Sequence, residues 1–432
     1  MEPTKLTVLK ANESSKFRAK LLEFSLVSLP FVSYAGLAGL VILIVLTLKQ
    51  QGALVFKILR RRGLLIISVL LLINSLFAFY KGEAFLQLTN FLPFFLLFAV
   101  LTILLKSAEQ LEQLMLALAT TSIPINLIAI FEYWLKFPSV AESLSNRSIL
   151  AWFYRHDYGH RANSVFGHPN VLANFLVLIL GFELGLILKS SLQQPSRQTL
   201  GVRNETQKPL ISRNAFLYLT LFLNLVGLFC SASRNGFLIA ISELIIFGLF
   251  ARKSRIVLYT FVSGLAIILG TLFLFGVGGR QISITDLVSD PRVETWQIAV
   301  ELIQKRPLTG WGLGNYKLMH PLLSSDPLTY IAHPHNLWLL LAAETGIPIL
   351  VALTTVIGFI CYRGVKSFLL TPRNQLDRGI MLSCLLAFWS CTTFSLADVT
   401  FYDARLNAIN WLALAGIYKL SMTPELSSAK ST

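Results

Sequence analysis

The sequence predicts an all-α integral membrane protein with about twelve transmembrane helices, and three observations lead to this prediction. Hydrophobic residues make up 54% of the 432 residues and charged residues only 14%, with a mean hydropathy of +0.65. A soluble protein has no interior large enough to bury this apolar surface, so the lipid bilayer must act as the solvent. Apolar runs close to the ~20 residues that span a bilayer recur along the chain, and basic segments separate many of them.

Eleven apolar runs define the predicted spans. They cover residues 21–48, 63–80, 84–105, 111–135, 165–188, 214–232, 235–250, 256–277, 336–362, 379–397 and 404–421. The first run is counted twice, because the basic residues before it should lie on the same side of the membrane as the basic segment after it. Pro30 and the pair Gly36 and Gly39 mark the point where this run could turn back.

The positive-inside rule gives the orientation of the spans. Four basic connections are predicted to face the cytoplasm, at residues 57–62, 189–213, 252–255 and 363–378. The loops 136–164 and 278–334 then face outward, between a cytoplasmic tail at 1–20, a membrane domain at 21–421 and a second cytoplasmic tail at 422–432. The net charge of +15 is thereby attributed to cytoplasmic loops and tails, and no nucleic-acid partner is expected.

All six histidines fall in or beside the two large outer loops, which predicts that any chemistry takes place on the outer side. His335 directly precedes Asn336 at the predicted start of a helix. The positive end of a helix dipole disfavours imidazolium, and a neutral imidazole is what a general base requires. We therefore predict His335 as the catalytic base and His333 as an auxiliary binding group. The alternative is a polar cap, for which Asn336 is a suitable residue.

Arg234 lies between two apolar runs that almost no loop separates, so it is predicted at the membrane edge, at the N-terminus of a helix. A helix N-terminus combined with a guanidinium is an anion site that suits a phosphate. The alternative is an arginine that extends towards the interface without a ligand.

The outer loop 278–334 is predicted to contain an amphipathic helix over residues 291–305, which Arg292 opens. Its apolar side chains recur at helical spacing and are predicted to rest on the bundle or the interface. They are Val293, Trp296, Val300 and Ile303. The following Gly310-Trp-Gly-Leu-Gly314 is predicted to be a turn, because no strand precedes it as a dinucleotide motif would need.

The histidine and cysteine spacings do not predict a metal site. His156 and His160 have the spacing of two zinc ligands on one helix turn, but Gly159 argues against a regular helix there. The four cysteines lack metal-binding spacing. No metal is therefore expected.

Taken together, six short motifs resemble the O-antigen ligase and O-antigen polymerase superfamily of bacterial membrane glycosyltransferases. They are Gly167-His-Pro-Asn170, Ser233-Arg-Asn-Gly236, Arg292-Val-Glu-Thr-Trp296, Gly310-Trp-Gly312, His335-Asn-Leu337 and Glu344-Thr-Gly346. Each motif is weak alone, but their order within a twelve-span frame makes a specific set. The long outer loop before the His-Asn helix is also typical of the superfamily.

The resemblance implies transfer of a glycan from an undecaprenyl-diphosphate carrier to a lipid or glycan acceptor on the periplasmic face of the inner membrane, without metal, nucleotide sugar or other cofactor. Arg234 and Arg292 would then bind the diphosphate, because each guanidinium can bind it in a bidentate manner. Arg161 is implied as a further diphosphate ligand. His335 would assist the attacking hydroxyl, with His168, His333 and Asn336 as auxiliary residues.

Four other functions remain open from the sequence. An O-antigen or exopolysaccharide polymerase and a protein O-oligosaccharyltransferase would share the motifs, as would an anion transporter of the bicarbonate type. Transport predicts ionisable residues deep within several spans, whereas Glu183 and Glu243 are among the few such residues here. A non-catalytic scaffold would not need the arginines and histidines of the outer face. We therefore expect a ligase-like enzyme.

Overall fold

The structure is a computed structural model, and its described part is helical without a strand. It describes residues 5–136, 158–193, 212–250, 255–278, 292–326, 328, 330–372, 375 and 377–428. The described α-helices are α1 (Lys5–Ser28), α2 (Ser33–Arg61), α3 (Leu64–Leu76), α4 (Lys81–Gln87), α5 (Leu92–Leu104), α6 (Ala108–Leu135), α7 (Pro169–Gln193), α8 (Arg213–Ser231), α9 (Arg234–Phe250), α10 (Arg255–Phe275), α11 (Arg292–Lys305), α12 (Tyr316–Met319), α13 (Leu337–Thr345), α14 (Ile347–Leu370), α15 (Asp377–Phe394) and α16 (Ala404–Ser428). Short 3₁₀ turns occupy Leu88–Asn90, His320–Leu322 and Thr400–Tyr402.

The protein is a multi-pass membrane protein by the length and composition of its helices. Seven helical segments in the described residues are long and apolar enough to cross a bilayer. They are Ser33–Arg61, Lys81–Leu104, Ala108–Leu135, Pro169–Leu192, Arg213–Ser231, Val257–Phe275 and Ile347–Leu370. Further helices, including the 13-residue α3, lie outside this set, so the count of twelve spans stays a prediction.

The first apolar run folds as a helical hairpin. Helices α1 and α2 pack together, and the turn between them contains Pro30, where the sequence predicted it. Added Cβ atoms on Gly36 and Gly39 would lie 2.8 Å from Ser25 O and 2.1 Å from Ser25 Oγ, so only glycine permits this approach. Helix α1 begins at Lys5, within the segment that was predicted as a tail.

The predicted single run 336–362 is two helices, and this corrects the sequence-based prediction. Gly346 separates α13 from α14 with φ 79° and ψ 160°, a conformation that is almost restricted to glycine. An added Cβ there would lie 2.3 Å from Leu308 O. The predicted run 84–105 is likewise interrupted, because α4 and α5 are joined by the 3₁₀ turn Leu88–Asn90.

The Gly310–Gly314 turn packs against this break. The backbone N–H of Gly312 donates to Glu344 O at 2.7 Å, and the buried Glu344 carboxylate accepts from Tyr316 N at 3.1 Å. Gly310, Gly312 and Gly314 all have positive φ. The Gly310-Trp-Gly312 and Glu344-Thr-Gly346 motifs therefore stabilise each other's backbone, and they hold the outer loop on the start of α14.

Helix α11 forms where the sequence predicted it, but its buried face was predicted wrongly. Val293, Trp296 and Val300 are 39%, 37% and 42% exposed, and Ile303 is half-buried. The buried residues are Thr295, Ile298, Ala299 and Leu302. The polar Thr295 lies on this face, where its hydroxyl reaches Pro334 O at 3.4 Å and its carbonyl accepts from Tyr316 Oη at 2.9 Å.

Helix α7 is the centre of the bundle, and it packs most closely on α15. The apolar segment Pro169–Leu192 of α7, which is long enough to cross a bilayer, is almost wholly buried by other helices. Gly181 and Gly185 form the small-residue spacing that lets membrane helices approach. Added Cβ atoms would lie 2.5 Å from Ala387 N and 2.3 Å from Ser383 N. Ser383 Oγ also donates to Phe182 O across the interface at 2.9 Å.

Replacing Gly185 with Leu should force α7 and α15 apart. We expect overpacking to cost about 1–3 kcal/mol and to lower the thermal denaturation temperature in detergent. Gly270→Leu in α10 is the matched control, because an added Cβ at Gly270 meets nothing within 4 Å. Equal melting temperatures for the two variants would show that the α7–α15 contact is not a determinant of stability.

Candidate functional site

The site is centred on a histidine that faces a buried carboxylate. His335 Nδ1 lies 3.3 Å from Asp398 Oδ1, and the side chains of His335 and Asp398 are 36% and 8% exposed. The backbone of His335 is left-handed, with φ 51°, a conformation that non-glycine residues adopt mainly where surrounding structure imposes it. The imidazole is thus held by its backbone and by its carboxylate partner.

Asp398 is anchored in the short connection between α15 and α16. Its Oδ1 atom accepts from Val399 N at 2.8 Å, and its Oδ2 atom accepts from Asn170 Nδ2 at 2.5 Å. Burial alone raises the pKa of this carboxyl, but the hydrogen bonds from His335 and Asn170 outweigh it and hold the pKa well below its usual range. Asp398 is therefore an anion and accepts the Nδ1 proton of His335.

Asn170, at the start of α7, connects this pair to the rest of the outer face. Its Oδ1 atom accepts from Arg161 Nη2 at 2.6 Å and from Ser233 Oγ at 3.2 Å. Arg161 Nε also donates to Ser231 O at 3.0 Å, at the C-terminus of α8. Arg161 is thus bound to the protein through two of its nitrogens, and it joins the ends of α7 and α8.

The three histidines of this region differ in the atom that their Nδ1 contacts. His333 Nδ1 accepts from the backbone N–H of His335 at 3.3 Å, and His168 Nδ1 accepts from that of Asn170 at 3.0 Å. An Nδ1 atom that accepts carries no proton, so both rings are neutral and hold their proton on Nε2. His335 Nδ1 instead faces the Asp398 carboxylate and donates to it. Only His335, of these three, presents the lone pair of Nε2.

Burial sets the protonation of the two flanking rings. It lowers the pKa of His333 to about 4, and it also lowers the pKa of His168. The nearby charge of Asp398 opposes this effect on both rings. The ring centroids of His333 and His335 lie 4.7 Å apart at an interplanar angle of 80°. His333 therefore packs edge-on against His335 as a neutral neighbour.

The two predicted diphosphate arginines each begin a helix. Arg234 is the first residue of α9, next to Ser233, which contacts Asn170. Arg292 is the first residue of α11 and is close enough to lower the pKa of His168 by its charge. The Thr295 hydroxyl of the same helix reaches Pro334 O at 3.4 Å, which joins α11 to the histidine segment.

Asn336 is the N-cap of α13. Its Oδ1 atom accepts from the backbone N–H groups of Trp338 and Leu339, both at 3.0 Å, and its Nδ2 atom donates to Leu396 O at 3.0 Å. The capping alternative considered from the sequence is therefore confirmed for Asn336. These bonds also fix His335 relative to the loop that carries Asp398.

The described residues contain one group that could hold a cation, formed by His333, His335 and Asp398, whose ligand atoms all lie within 4.8 Å of one another. Each of these residues already has a protein partner, because His333 Nδ1 accepts a backbone N–H and Asp398 accepts three donors. The distance between His156 and His160, which have the spacing of zinc ligands, is not defined because His156 lies outside the described residues. His160 Nδ1 contacts Lys136 O at 2.7 Å.

Residues 219–354 match the family model described as O-Antigen ligase. The matched region covers about a third of the chain. The match supports the resemblance to the O-antigen ligase and polymerase superfamily, whose members are membrane glycosyltransferase-like enzymes acting on lipid-linked glycans. Among curated proteins, no sequence matches this chain.

The O-antigen ligase match contains one half of the site and leaves out the other half. Arg234, Arg292 and His335 lie within it, whereas Asn170 and Asp398 lie outside it. Sequence reasoning missed Asp398 altogether and treated Asn170 only as part of a motif. One signal for Asp398 was available, since it is an acidic residue in a connection of a few residues between two apolar runs.

His333 should make the stability of the protein depend on pH. Its folded pKa of about 4 lies below the unfolded value of ~6.5, so its contribution is complete above pH ~6.5 and is lost as the pH falls towards 4. Thermal denaturation between pH 7 and 4 should therefore show a smaller loss of stability in His333→Asn than in the wild type. His160→Asn, at an exposed histidine, should leave the wild-type profile unchanged. Identical profiles for His333→Asn and wild type would contradict the burial argument.

Proposed function

We propose that the protein is a ligase-like glycosyltransferase that moves a glycan from an undecaprenyl-diphosphate carrier to an acceptor hydroxyl, on lipid A-core or a similar acceptor, at the periplasmic face of the inner membrane. The observation that carries this proposal is the His335–Asp398 pair, of which His335 lies within the matched family region. It supplies a base with a fixed tautomer at one end of a membrane bundle.

In the proposed step, the acceptor hydroxyl oxygen attacks the anomeric carbon of the lipid-linked sugar. A new glycosidic C–O bond forms, and the bond between the anomeric carbon and the diphosphate oxygen breaks. The hydroxyl proton passes to His335 Nε2, and the electron pair of the broken bond leaves with undecaprenyl diphosphate. Asp398 stabilises the imidazolium that forms and keeps the ring oriented.

Arg234 and Arg292 are proposed to bind the diphosphate. A guanidinium at a helix N-terminus adds a fixed charge to the unpaired backbone N–H groups of the first turn, and both favour an anion. Charge on the leaving diphosphate grows as the bond between the anomeric carbon and the diphosphate oxygen breaks, so these contacts would strengthen in the transition state. Arg161 is proposed as a further diphosphate ligand. Its hydrogen bonds to Ser231 O and Asn170 Oδ1 hold it in place beside the other residues of the site.

Loss of the His335 imidazole should slow transfer by ~10²–10⁴-fold. The test uses purified protein, an undecaprenyl-diphosphate glycan and an acceptor lipid. We expect a large loss for His335→Asn, whose side chain tolerates the left-handed backbone, a loss on the order of 10² for Asp398→Asn, and a much smaller loss for His333→Asn. His160→Asn is the matched control on the outer face.

Two outcomes would contradict this mechanism. One is full activity in His335→Asn and His335→Ala. The other is abolition of activity by EDTA with recovery on zinc addition, which would instead make His333, His335 and Asp398 metal ligands. The product separates the two activities of the superfamily, because a polymerase would lengthen the glycan on its carrier whereas a ligase would transfer it to the acceptor lipid.

Arg234→Ala and Arg292→Ala should each weaken use of the lipid donor. Removing one partner of a desolvated charge pair typically costs ~2–5 kcal/mol, and Lys should restore little because it lacks the planar fork. The measurement is transfer rate against donor concentration at equal protein. Lys305→Ala, at the exposed far end of α11, should keep wild-type kinetics. Wild-type kinetics in both arginine variants would make these residues interfacial anchors.

A further inference from the structure

A cavity of about 670 Å³ lies at the end of the bundle away from His335, between α14, α15 and the last turns of α16. Its lining includes Phe359, Arg363, Lys366, Leu370, Gln375 and Leu420. None of these residues belongs to the proposed transferase site or to the six motifs of the superfamily resemblance. The cavity therefore calls for an explanation of its own.

The position of the cavity follows from the length of α14. Gly346 begins this helix beside the outer loop, and Lys366 follows 20 residues later. At ~1.5 Å per residue the two lie ~30 Å apart along the helix, which is the thickness of the hydrocarbon core. Lys366 and Arg363 therefore lie at the membrane surface opposite His335.

The lining combines two kinds of surface. Phe359 is 50% exposed, and on the membrane-spanning part of a helix such a side chain faces lipid. Arg363 and Lys366 follow on one face of α14, because residues three apart are neighbours on a helix. Asp377 is the one acidic residue among the lining residues, so the charged side chains of the cavity carry a net positive charge. The cavity thus has an apolar wall and a cationic wall.

We propose that this cavity binds an anionic phospholipid of the leaflet opposite the transferase site. Its phosphate would contact Arg363 and Lys366, and its upper acyl chain would lie against Phe359, one turn nearer the membrane centre. Basic pockets between membrane helices recognise anionic headgroups by this combination. A merely interfacial pair of basic residues would need no adjoining cavity, and a free phosphate would not need the apolar wall. The site is independent of the proposed glycan transfer.

Native mass spectrometry of the full-length protein in equimolar phosphatidylglycerol and phosphatidylcholine tests this proposal. The wild type should retain phosphatidylglycerol preferentially. The double variant Arg363→Gln/Lys366→Gln should retain it about 25-fold less, at about fivefold for each basic residue, with phosphatidylcholine retention unchanged. Excess inorganic phosphate should not displace the lipid from the wild type.

The matched control is Arg60→Gln/Arg61→Gln, which removes two exposed charges at the same end of the bundle. The neighbouring Arg62 lies over the Tyr418 ring at 4.2 Å, close in sequence to Leu420 of the cavity. If the double variant at the cavity does not fold, the single variant Lys366→Gln carries the test, because this side chain is exposed. Equal retention of both lipids, displacement by phosphate, or an equal loss in the control would each overturn the proposal.

Discussion

The close contact between α7 and α15 is the constraint on which the candidate site depends. Gly185 lies against Ser383 near the middle of these antiparallel helices. Asn170 lies 15 residues before Gly185, and Asp398 lies 15 residues after Ser383, so the same register brings their side chains together beyond the helix ends. A larger residue at the contact would force the two helices apart and disturb this alignment. Small side chains in mid-membrane therefore determine the position of a carboxylate at the surface.

The residues around His335 form a network of hydrogen bonds. The chain of contacts runs from Arg161 through Asn170 and Asp398 to His335. Burial makes an unsatisfied polar group costly, so these residues orient one another. The network joins the ends of α7, α8 and α15 to the start of α13. The base proposed at His335 would be oriented on this frame before an acceptor arrives, which lowers the cost of aligning the reacting groups.

The sequence predicted the fold class, most helix positions and the residues within short motifs, because apolar periodicity and motif spacing are local properties. From their position before a helix, it singled out His335 as a candidate base and Asn336 as a candidate cap, and Asn336 is the N-cap of α13. It did not predict Asp398, because a partner 63 residues away depends on how two helices pack. The buried face of α11 was also wrong for this reason. Both faces carry apolar residues, and the buried face is the one on which Thr295 contacts Pro334 and Tyr316.

The break at Gly346 has a mechanical consequence. Membranes differ in thickness, and a long lipid-facing helix responds to such mismatch by tilting. A continuous helix would carry the tilt of α14 directly to the residues at its outer end. Because α13 and α14 meet at a glycine with φ 79° and ψ 160°, and the end of α13 is hydrogen-bonded to the Gly310–Gly314 turn, the two helices do not form one continuous rod. A tilt of α14 is therefore not carried along a single helix axis to the histidine segment.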